Sequence, residues 1–172
     1  MDLSIYSNMG FDAISMSNEI PINDVITANK ISNANIYYQV FGRKLMFYSK
    51  RQLLKLYKEY TNSTFDNSNL SLVEEKRSYR IPIVENKNGI FCFRQYFISL
   101  LKEIKNINFI KYGYFETYTL DNKTIKIVLE IYKSALNNLN KINICLDKIN
   151  ELNLNIEDGF TYIDSSHIKE EA

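Results

Sequence analysis

Glu85 and Lys87 are the pair whose types and spacing come nearest to a working chemistry. They close the apolar run Ile81-Pro82-Ile83-Val84, at the end of an expected strand. A carboxylate so placed can hold Mg²⁺, and a lysine two positions on can support attack by water, which together make half of a metal-dependent hydrolase. The other half is a second acid on a neighbouring strand, and the upstream Asp66 stands instead in the polar loop 61–72. The pair also runs directly into Asn88-Gly89, so soluble residues flanking a turn are the plainer reading. The hydrolase stands as a third functional reading.

Other site chemistries lack their residues. The single histidine, His167, lies in a polar tail, and Cys92 and Cys145 stand far apart in apolar surroundings, so close-spaced zinc ligands are missing. A Cys-His nucleophile needs a partly exposed, electropositive thiol, whereas Cys92 sits between Phe91 and Phe93. Both cysteines are expected as reduced core residues. Five scattered glycines build no phosphate-cradling loop, and no Gly-x-Ser-x-Gly elbow occurs. The expectation is no metal, no cofactor and no catalytic residue.

Binding chemistry is better represented. Arg43, Lys44, Lys50, Arg51, Lys55 and Lys58 make residues 40–60 basic, with Tyr37, Tyr38, Phe41, Phe47, Tyr48 and Tyr57 interleaved. Cations neutralising phosphate and rings stacking on unpaired bases would make this a nucleic-acid surface. A net charge of only +1 argues against a dedicated binder, and strand aromatics usually belong to a core. The C-terminal portion is acidic, and Glu157, Asp158, Tyr162 and Asp164 combine carboxylates with an aromatic anchor suited to an arginine-rich partner. Tyr112, Tyr114, Tyr118 and Tyr132 form a further cluster that could serve an interface or a core. From the many tyrosines, the acidic termini and the lack of a cofactor motif, the leading expectation is a non-enzymatic protein-binding module. Its sharpest form is an immunity protein that neutralises a basic toxin, and nucleic-acid binding is the alternative.

The elements that must position these residues read as an α+β fold of antiparallel hairpins alternating with helices. Gly42-Arg43 predicts a type II′ hairpin between 36–41 and 44–48, and Asn88-Gly89 a type I′ hairpin between 79–84 and 90–93. Pro82 cannot donate to a ladder and predicts an edge strand. Each hairpin leads into a helical stripe, Leu53 to Tyr60 and Phe97 to Ile104, which gives a ββα-like unit used twice. In a third copy, residues 109–120 are extended and 124–132 fit two periods. Alternating Ile125, Ile127, Leu129 and Ile131 favour a strand, while Ile125, Val128, Leu129 and Tyr132 with Asp121 as N-cap favour a helix. A helix follows from Ser134, and Asn23–Ile31 suggests another within the mixed segment 1–35.

The chain of 172 residues is expected to form one domain, with 165–172 as a flexible tail. Abundant Ile, Lys and Asn indicate an AT-rich genome. No positively charged, then apolar, N-terminal segment precedes residue 20, and the longest apolar run is Leu45 to Tyr48, so a cytoplasmic protein without membrane contact is expected.

Overall fold

The computed structural model describes residues 3–32, 34–66, 69–76, 79–159 and 161–163. Asp164, His167 and the expected tail lie outside the described residues. In chain order the elements are α1 (Leu3–Asn8), β1 (Ile14–Ser15), α2 (Ile22–Ser32), β2 (Ile36–Ser49), α3 (Leu53–Thr61), β3 (Ser71–Val73), β4 (Arg80–Asn86), β5 (Gly89–Ser99), β6 (Ile110–Glu116), α4 (Asn122–Asn137) and α5 (Ile142–Asn150). Single 3₁₀ turns follow β5 at Leu101–Glu103 and α4 at Leu139–Lys141.

β2 is the spine of the six-stranded sheet. Ile36 has Ile14 on one side and Ile110 on the other, while Phe41 lies between Ser99 and Phe115. Strands β1 and β5 therefore share one flank of β2 in succession, and β6 occupies the other. The two ends differ in sense: β1 and β6 run parallel to β2, whereas β5, β4 and β3 follow as antiparallel neighbours. The α+β class holds, but a β-α-β unit (β1, α2, β2) and a three-strand meander (β3, β4, β5) that closes back onto β2 replace the repeated ββα-like unit.

The first departure is at Gly42, where β2 continues without turning back. Gly42 has φ +116°, and a side chain there would collide with the backbone and Cβ of Glu116. Its freedom thus serves the close approach of β6, which residues 36–48 alone cannot reveal. Beside it the ladder to β6 slips between Gln39 and Phe41, and Val40 and Phe41 are both buried, as at a bulge. The second hairpin does form, one residue earlier than the glycine suggests: Asn86 pairs with Gly89, and Lys87-Asn88 makes the turn. Pro82 is not at the edge. Short β3 covers β4, Ser71 pairs with Pro82, and the next amide, Ile83, donates to Leu70 at 3.0 Å.

The segment after the second hairpin stays extended to Ser99, because Phe97 pairs with Arg43 and also bridges to Ile156, leaving one 3₁₀ turn for the expected helix. Residues 124–132 are helical. Asp121 accepts from the Thr124 amide at 2.8 Å and from its hydroxyl at 2.9 Å, and Val128, Ile131, Tyr132 and Ala135 bury one stripe. Packing of that stripe outweighs the strand preference of the β-branched residues.

The larger core joins α2, α4 and α5 to one face of β2, through Ile22, Val25, Val128, Ile131, Tyr38 and Phe41 among others. Its polar groups are satisfied: Tyr132 donates to the Val40 carbonyl at 2.8 Å, and Tyr38 to that of Ile20 at 3.1 Å. Burial raises the pKa of both phenols, that of Tyr38 to about 12. A small second core of Leu54, Ile83, Ile90 and Cys92 lies under α3. Both cysteines are free and buried, as expected.

Candidate functional site

The parallel strands β1, β2 and β6 are covered by helices on one face, and on the other they carry Tyr37, Gln39, Tyr112 and Tyr114. Tyr37 pairs in register with Tyr112, and Gln39 with Tyr114. Beyond Ser15 the chain turns across this face as Met16-Ser17-Asn18-Glu19, enclosing a polar well of about 340 Å³ with Gln39, Lys44, Tyr114 and Glu116. The well stands at the carboxyl ends of β1 and β6, the position at which sheets with parallel strands ordinarily receive ligands.

Hydrogen bonding fixes the orientation of each amide. Gln39 is only 1% exposed, and its Nε2 donates to the carbonyls of Phe41 at 3.3 Å and Arg43 at 3.2 Å. Both of its N–H groups are thereby used, so Oε1 faces the well as an acceptor. It accepts from Asn18 Nδ2 and from the Tyr114 hydroxyl at 3.2 Å, and Asn18 Nδ2 also donates to Tyr114 at 3.1 Å. With its NH₂ thus directed inward, Asn18 Oδ1 is left buried without a hydrogen-bond partner. An unmatched buried acceptor costs about 1–3 kcal/mol. Lys44 Nζ lies 3.7 Å from Glu19, and its side chain is 11% exposed. Burial lowers the Lys44 pKa, the Glu19 carboxylate opposes that shift, and Arg94 adds to it.

Of the basic residues, the structure does not make one surface. Neighbouring strand residues point to opposite faces, so Arg43 leaves Lys44 and turns the other way. Its guanidinium lies 4.2 Å above the Phe97 ring, donates from Nε to Thr119 at 3.1 Å, and donates from Nη1 to the carbonyls of Arg94 and Gln95. Arg43 is thus a strut, and it lines an open cavity of about 910 Å³ with Arg80, Gln95 and Tyr118. Tyr118 is exposed there and stacks on Phe91 at 5.4 Å. Lys50, Arg51 and Lys55 are exposed where β2 meets α3, and Lys58 sits 4.4 Å over the Phe65 ring.

Glu85 has a different task from metal binding. Its Oε2 accepts from the Leu54 amide at 2.7 Å and its Oε1 from the Lys55 amide at 3.0 Å, capping the start of α3 from a neighbouring strand. Both oxygens are committed, while Lys87 is exposed in the turn. Among the described residues, no group of three or more His, Cys, Asp or Glu could hold a metal ion.

The acidic residues are partly used within the chain. Tyr162 does not offer its hydroxyl outward: it donates to Glu103 at 2.8 Å, and burial together with that carboxylate raises its pKa. Asp158 pairs with Lys102 at 3.9 Å, and Glu157 accepts from Asn155 at 3.1 Å. The tyrosine cluster divides, with Tyr132 in the core and Tyr112 and Tyr118 exposed.

Sequence reasoning missed Asn18, Gln39 and Glu116. Their shared location depends on parallel pairing between segments far apart in the chain. The available signal was the order strand, helix, strand over residues 14–42, which suggests a parallel pair.

No protein-family model matches the chain, and no solved structure matches it. It is 24% identical over 161 residues to the tRNA hydroxylation protein P2 of Bacillus subtilis (strain 168), a match covering 87% of this chain and 49% of that protein. The chain thus spans about half the length of the curated relative it matches. This similarity overturns the expectation of a toxin-neutralising immunity protein, since it points to tRNA modification instead. No helix among the described residues is long and apolar enough to cross a membrane.

Proposed function

We propose that this protein takes part in tRNA modification and that its contribution is to bind RNA. The observation that carries the reading is the similarity to a tRNA hydroxylation protein along 87% of the chain. The site chemistry is compatible with it: fixed amides, a phenol and a lysine line the well, and exposed tyrosines lie on the same sheet face. The exposed cations Lys50, Arg51 and Lys55 supply phosphate contacts, while Arg43 and Lys44 keep their structural partners. Such a role belongs in the cytoplasm.

Two measurements test the proposal. Purified protein should bind bulk tRNA with an affinity that falls steeply as salt rises, because bound phosphates release counterions. Replacing Lys50, Arg51 and Lys55 together by Ala should weaken binding several-fold and flatten the salt dependence. In the native host, removal of this chain should lower the content of a modified nucleoside in tRNA, read by mass spectrometry. Absence of salt-dependent tRNA binding, together with an unchanged modified-nucleoside content, would refute the proposal.

A further inference from the structure

We infer that Tyr37, Tyr112 and Asn18 form a seat for a single unpaired RNA base, an inference that rests on the RNA-binding reading above and assigns it a place. The Tyr37 and Tyr114 rings lie nearly parallel, with centroids 5.1 Å apart and planes 11° from coplanar. Tyr37 is 39% exposed and its register neighbour Tyr112 is 46% exposed, so the stacked pair is open to a further flat ring. Parallel strands are ordinarily covered on both faces. Here helices cover one face, and the other presents tyrosine rings beside a polar well.

The well specifies the edge of that ring. Gln39 is locked by two backbone carbonyls and in turn directs the Asn18 amide inward, which leaves Asn18 Oδ1 as a buried acceptor without a donor. A base supplies the missing group as a ring N–H or an exocyclic amine. The charges set the direction of approach: at the well Lys44 is paired with Glu19, which leaves Glu116 to disfavour phosphate, whereas Lys111 Nζ lies 5.7 Å from the Tyr112 ring centroid. The base edge enters the well, and its phosphate stays on the Lys111 side.

The test uses the full chain with two probes, an unstructured fluorescein-labelled RNA pentanucleotide and bulk tRNA. Tyr37→Leu removes the ring, Tyr37→Phe keeps it, and Asn18→Ala removes the acceptor; thermal melting confirms that each variant is folded. Stacking on one base implies a loss of about tenfold in pentanucleotide affinity for Tyr37→Leu, near-complete retention for Tyr37→Phe, and a several-fold loss for Asn18→Ala. If the wild type binds tRNA but the pentanucleotide either does not bind or binds equally to all variants, the base seat is overturned and the tRNA reading stands. Binding of neither probe overturns both. A wild-type dimer that Tyr37→Leu converts to a monomer would assign this face to a second copy of the chain and overturn the seat as well.

Discussion

The two ends of the sheet are built from the same strand yet differ in how much they bury. At the parallel end, β2 packs with α2, α4 and α5 into a continuous core that includes Ile36, Phe41, Leu101 and Ala135, all fully buried. At the antiparallel end, the buried cluster among the described residues is the smaller one of Leu54, Ile83, Ile90 and Cys92, and Met46, Phe47, Leu72 and Val73 remain exposed. An apolar groove of about 880 Å³ lies between α3 and β3 at that end. Hydrophobic stabilisation scales with the apolar area removed from water. The parallel end therefore carries the global stability, and the antiparallel end opens at lower cost. The candidate site belongs to the stiffer region, where a fixed hydrogen-bond geometry can be maintained.

Phe41→Ala should show the largest difference between the ends. Phe41 contacts Phe97, Phe115 and Tyr132 in the large core, and its truncation should cost about 3–5 kcal/mol of global stability in urea unfolding. Ile83→Ala should cost about 2 kcal/mol, and hydrogen exchange should speed up chiefly in α3, β3 and β4. Equal exchange increases at both ends would show that the sheet opens as one unit.

An intermediate effect is expected from the cap of α3. Glu85→Ala removes the acceptor for two helix amides, at a cost of about 1–2 kcal/mol. The Leu54 and Lys55 amides should exchange faster while those of α4 keep their protection. A loss of protection in α4 would break the proposed separation.

The smallest effect concerns the cap of α4. The backbone N–H of Thr124, followed by its hydroxyl, holds the Asp121 carboxyl below its ordinary value of 3.8. A lowered folded-state pKa stabilises above the unfolded value and loses that contribution as pH falls through the lowered one. Asp121→Ala should lower stability slightly near neutral pH, and the difference from wild type should shrink in acid below about pH 4. A difference that stays constant down to pH 2 would remove the carboxylate from the explanation.

Local chemistry made part of this molecule legible. Asp121 could be seen as a cap, Asn88-Gly89 as a hairpin signal, and residues 23–31 and 53–60 as helices, because each depends on neighbours within a few positions. The choice for 124–132 was not legible in this way, since both periods fit. Burial of Val128, Ile131 and Tyr132 against β2 decided it. Chain-local reasoning likewise found the exposed cations Lys50, Arg51 and Lys55 but could not tell them from Arg43 and Lys44. That distinction depends on Phe97, Thr119 and Glu19 arriving from other segments.

The amino-acid sequence by itself determined the α+β class, the reduced cysteines and the presence of aromatic and basic groups, through composition and short-range periodicity. Tertiary structure decided the purpose of Gly42, the capping task of Glu85 and the assembly of Asn18, Gln39, Lys44 and Tyr114 into one well. Each of the latter rests on a partner distant in the chain: Glu116 against Gly42, the α3 amides against Glu85, and parallel pairing of β1 and β6 with β2. A side chain's type sets which bonds it can make, and the fold determines which atoms are near enough to make them.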